Sequence, residues 1–77
     1  MKHIITEKPN SIVVFLESKK MNTLCDIADF IDDTYSECVI EVRHNRKAKQ
    51  GSIIIKKDNH EFVSRIEELL NNYFNNL

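Results

Sequence analysis

Cys38-Val39-Ile40-Glu41-Val42, a polar stretch, then Ser52-Ile53-Ile54-Ile55-Lys56: this segment decides the fold. Both ends are short runs rich in β-branched residues, and such runs bounded by polar turn-formers read as strands. The connection is too short for a crossover helix, so the two strands form an antiparallel hairpin. The second run is a solid apolar block, as expected of a strand interior to a sheet.

Upstream, Leu24, Ile27, Ala28, Ile31 and Tyr35 recur at helical spacing and predict an amphipathic helix. Its start is expected at Asn22 or Thr23, with Thr23 and Asp26 in the positions of a capping box. Before it, Ser11 to Glu17 carries the run Ile12-Val13-Val14-Phe15-Leu16, a strand covered on at least one face. Lys8-Pro9-Asn10-Ser11 is a turn sequence, and His3 to Thr6 ahead of it is a candidate edge strand. Downstream, Asp58 or Asn59 caps a second helix through Phe62, Val63, Ile66, Leu69, Leu70, Tyr73 and Leu77. Its Asn71-Asn72 and Asn75-Asn76 tail is weak helix-forming material and is expected to fray. The order is β-α-β-β-α, with the N-terminal strand as an optional addition. A right-handed crossover makes the strands flanking the first helix parallel. The last strand inserts between them, giving an α+β split sheet with both helices on one face.

All 77 residues fit one small domain. A hydrophobic fraction of 42% is too high for disorder, and one Gly and one Pro leave little room for loops. A net charge of −1 argues against a protein that coats nucleic acid or membrane through its global field. Two cysteines, Cys25 and Cys38, match neither a zinc nor a redox spacing. A secreted domain of this size is usually disulfide-rich, so a soluble cytoplasmic domain is expected. No stretch approaches the ~20 apolar residues of a membrane span, and the N-terminus is too short in apolar residues for a signal peptide. Heavy use of Lys, Asn and Ile points to an AT-rich bacterial or phage genome.

The middle of the chain carries a family likeness. Thr34-Tyr35-Ser36-Glu37-Cys38-Val39-Ile40-Glu41-Val42 after an amphipathic helix resembles the first helix and second strand of HPr, the histidine-containing phosphocarrier protein. Ser52-Ile53-Ile54-Ile55, then Asp58-Asn59-His60-Glu61 and a helix, resembles that family's last strand and last helix. The likeness covers about two thirds of the chain and lies mainly in element order and apolar pattern. The family's phosphorylated His sits just before the first helix, with an Arg and a Pro; here Lys20-Met21-Asn22-Thr23-Leu24 holds none of these. The resemblance therefore implies an HPr-like fold without phosphotransfer.

Little in the chain points to catalysis. His3, His44 and His60 fall in three elements without ligand spacing, so no metal or other cofactor is expected. His44 reads as a turn residue and His60 as first-turn helix. A single glycine excludes a Gly-rich phosphate loop, and no nucleophile has a positioned base. Cys25 lies near a helix start, which can lower a thiol pKa, but Asp26 opposes this, and both cysteines read as structural.

Charge is the informative feature. Residues 23–38 hold five acids (Asp26, Asp29, Asp32, Asp33 and Glu37) and no base. Residues 43–57 hold six bases (Arg43, Arg46, Lys47, Lys49, Lys56 and Lys57) and no acid. Asp26, Asp29 and Asp33 share the helix face opposite the buried stripe, with Phe30 beside them as an aromatic anchor or as an edge of the core. Solvation alone accounts for such faces, but Asp at a helix C-terminus is not favoured by the dipole. The leading expectation is thus a non-enzymatic regulatory or adaptor protein that binds a protein partner through Asp26, Asp29, Phe30 and Asp33. The alternative is a nucleic-acid-binding domain using Arg43, Arg46, Lys47 and Lys49. Against that alternative stand the lack of an aromatic among those bases and repulsion by the acidic helix.

Overall fold

A computed structural model of the chain describes residues 3–17, 21–36, 38–45, 47–57 and 59–76. Six elements follow in order: β1 (His3–Glu7), β2 (Ser11–Glu17), α1 (Met21–Tyr35), β3 (Val39–Asn45), β4 (Gln50–Lys56) and α2 (His60–Asn75). The four strands form one antiparallel sheet in the order β1-β2-β4-β3. β4 inserts between β2 and β3, so the two strands that flank α1 run in the same direction without touching. The candidate edge strand forms and reaches Glu7. The interior positions of β2 and β4 explain why their sequences are the most apolar.

Both helices cover one face. Ile12, Val14 and Leu16 of β2 and Ile53 and Ile55 of β4 pack against Leu24, Ile27, Ala28 and Ile31 of α1 and Phe62, Ile66 and Leu70 of α2. α1 lies over β3 and β4, and α2 reaches β1. Gly51 lies directly beneath Leu24 of α1. A Cβ there would overlap the Leu24 side chain, standing 2.7 Å from Cδ2 and 2.9 Å from Cγ. The radius of gyration of 11.5 Å matches about 11–12 Å for one packed body of this length. Among the described residues no helix is long and apolar enough to cross a membrane.

β3 departs from strict alternation. Val39 pairs with Ile55, Glu41 with Ile54 and Val42 with Ile53, which leaves Ile40 as the extra residue of a β-bulge. The bulge lets Val39 and Val42, three apart, both join the core side. Ile40 is left 61% exposed.

Several expectations need correcting. α1 begins at Met21, so Thr23 lies inside its first turn and is not the residue before it. The hairpin strands run further than their apolar cores, and His44 is a strand residue opposite Gly51, not a turn residue. Asn59 caps α2 by accepting from Phe62 N through both its carbonyl and its side chain; Asp58 and Leu77 lie outside the described residues. The Asn-rich tail of α2 is helical through Asn75. Three asparagines there cost about 2 kcal/mol in propensity, whereas fully burying Leu70 alone returns about 1.5–3 kcal/mol. Tyr73 and Phe74 add ring contacts to Phe30 and His3 at 5.0 and 5.4 Å. Packing wins over propensity. Cys38 is buried but Cys25 is exposed, so only Cys38 belongs to the core.

Candidate functional site

The sheet has one face without helices. Strand alternation sends Ile4, Thr6, Val13, Phe15, Ser52, Ile54, Glu41 and Arg43 to it, away from the core residues beside them. Register aligns Ile4, Phe15, Ser52 and Arg43 in one row across all four strands. The neighbouring row is Thr6, Val13, Ile54 and Glu41. Val13 is 7% exposed, shielded within the sheet face, whereas Phe15 is 45% and Ile4 66% exposed. An aromatic ring on an inner strand is therefore presented to solvent on a rigid base.

The end of this face is closed by the β3–β4 turn. Asn45 pairs with Gln50, and its Oδ1 accepts from the backbone N–H groups of Lys47 and Ala48, both at 3.1 Å. That Asx turn holds the basic loop in shape. Lys49 adopts φ of 53°, a left-handed position where Gly or Asn is the less costly choice. Lys47 and Lys49 are exposed. Arg43 pairs with Glu41 at 3.0 Å, which raises the guanidinium pKa further and ties the two side chains together. Arg46 lies outside the described residues.

Phe15 borders two shallow recesses. One, of about 320 Å³, is lined by Ile4, Phe15, Glu17, Lys49 and Gln50 with Leu16 and Ala48. The other, of about 330 Å³, is lined by Phe15, Arg43, Asn45, Gln50 and Ser52 with His44 and Gly51. Arg43 thus lines one of the recesses that Phe15 borders and Lys49 the other. Sequence reading treated Phe15 only as part of an apolar strand. Its odd position, between the inward Val14 and Leu16, was the available signal.

The acidic face fares differently. Asp26, Asp29 and Asp33 are exposed on α1, as expected. Phe30 is half-buried, its ring 5.0 Å from that of Tyr73, at the edge of the core where the two helices meet. Asp32 accepts the Val39 N–H at 2.7 Å. It joins the end of α1 to the start of β3, which gives that acid a local structural reason. Elsewhere, Glu7 Oε2 lies 2.8 Å from Lys57 Nζ and 2.7 Å from His60 Nδ1. Among the described residues no group of three or more His, Cys, Asp or Glu could hold a metal ion.

Comparison with family models, curated proteins and solved structures finds no match, so the likeness to HPr rests on element order and apolar pattern alone.

Proposed function

We propose that the chain is a non-enzymatic nucleic-acid-binding domain whose contact surface is the open sheet face and the adjoining basic hairpin. The observation that carries this reading is the row in which Phe15 shares the open face with Arg43, next to Lys49. It answers both sequence-level objections. The missing aromatic comes from β2, a strand distant in sequence. The exposed acids of α1, Asp26, Asp29 and Asp33, lie in the helix layer on the other side of the sheet, and a helix with side chains is about 10–12 Å thick. That exceeds the screening length of about 8 Å at physiological ionic strength.

The hairpin sequence carries four cations, Arg43, Arg46, Lys47 and Lys49, against two acids, Glu17, which lines a recess with Lys49, and Glu41, which pairs with Arg43. The excess of cations suits two or three phosphates, so binding is weak and salt-sensitive. Titrating a labelled oligonucleotide should give a log–log salt slope of about −1.5 to −2 on single strands. Affinity should fall roughly tenfold between about 50 and 200 mM salt. No binding at the lower salt would overturn the reading.

The second reading, a regulatory or adaptor protein that captures a protein partner, has one observation in its favour. Ile4 and Ile40 are exposed on the sheet, and exposed apolar groups rimmed by polar ones suit a protein contact. On the acidic side of α1 the aromatic, Phe30, is half-buried against Tyr73. If no nucleic acid binds, this reading is the one to pursue.

A further inference from the structure

We infer that the open face takes a single strand in preference to a duplex, with one unpaired base laid against the Phe15 ring. The inference rests on the nucleic-acid reading above. In a duplex both faces of a base are covered by its neighbours, so an aromatic platform has nothing to stack on. An unpaired base has a free π-face, and stacking on an aromatic side chain is tolerant of base identity.

Three features of the face fit that occupant. Phe15 lines both recesses and is exposed, so a flat group has a place against the ring. The recess walls combine Ile4 with the polar side chains of Gln50 and Ser52, the mixture that suits a base with apolar faces and polar edges. Lys49 lines one recess and Arg43, paired with Glu41, the other, so each recess has a cation for the backbone of the strand. Glu17 lines the Lys49 recess and disfavours phosphate inside it, which leaves that recess to the base.

The experiment is fluorescence anisotropy at about 50 mM salt, with single strands about 12 nucleotides long. Deoxyribose and ribose forms are compared with the blunt duplex of the same sequence. The variants are Phe15→Leu, Phe15→Tyr and the pair Lys47→Gln with Lys49→Asn, each checked for folding by circular dichroism. Single strands should bind at least about tenfold tighter than duplex. Phe15→Leu keeps an apolar side chain on the strand but loses the π-face, and should weaken single-strand binding by about 5- to 150-fold. It should leave the duplex nearly unchanged, and Phe15→Tyr should retain wild-type binding. The lysine pair should weaken both ligands alike. Preference for the ribose form or for neither is equally consistent, since both offer an unpaired base. Equal binding of strand and duplex, with Phe15→Leu silent, would overturn the inference while leaving the nucleic-acid reading in place. Failure of every oligonucleotide to bind would overturn both.

Discussion

Gly51 is the residue on which the packing of α1 depends most visibly. It faces the core between Leu16 and His44, and the Leu24 side chain fills the space where a Cβ would be. Leu24 is fully buried, so it cannot swing aside without disturbing Ile27 and the sheet beneath. Gly51→Ala should therefore destabilise by about 1–3 kcal/mol, the usual range for overpacking. Leu24→Ala should cost about 2–5 kcal/mol by opening a cavity. The double variant should lose less than the sum, because the new methyl group occupies part of that cavity. Chemical denaturation of the four proteins measures the coupling. Strict additivity would mean that the two positions do not compete for the same space.

At the level of elements, the carboxylate of Glu7 joins three of them. It sits at the end of β1 and meets Lys57, just past β4, and His60, the first residue of α2. The Lys57 hydrogen bond, then that of His60, holds the Glu7 pKa below its ordinary value of 4.5. A depressed folded-state pKa contributes stability that is full above 4.5 and lost as pH falls through the lowered value. Glu7→Gln should thus remove part of the acid-limb loss of stability and leave less pH dependence below 4.5 than wild type has. Thermal melts from pH 7 downward test this, and parallel curves for the two proteins would sink it. Sequence alone could not supply this contact, since its partners lie 50 and 53 positions away. The elements themselves were legible because they repeat: period two or a solid run in β2 and β4, period 3.6 in α1 and α2. What stayed hidden was set by tertiary placement. Phe15 joins the proposed contact surface through the register of β2 against β4, and Phe30 packs against Tyr73. The bulge at Ile40 and the helical Asn tail of α2 likewise answer to packing on the core, not to local propensity.

Across the whole molecule, two charged surfaces stand apart. Asp26, Asp29 and Asp33 are exposed on α1, and Lys47 and Lys49 are exposed in the turn at the end of the sheet, so the two sets meet different surroundings. Replacing Asp26, Asp29 and Asp33 with Asn separates the two functional readings in one protein. All three are exposed, and exposed substitutions change stability by about 0.5 kcal/mol or less. Asp33 near the helix C-terminus opposes the dipole, so its removal should stabilise, by about 0.3–1 kcal/mol at most. If the open sheet face binds nucleic acid, the triple variant should match wild-type affinity near 150 mM salt, where a Debye length of about 8 Å hides the far face. At low salt, where screening weakens, it should bind modestly tighter. The same measurement on Lys47→Gln with Lys49→Asn should show loss at both salts without loss of folding, since Asn suits the left-handed backbone that Lys49 now occupies. A severalfold change for the acidic variant near 150 mM salt would place α1 at the contact. An unchanged lysine variant would remove the hairpin from it.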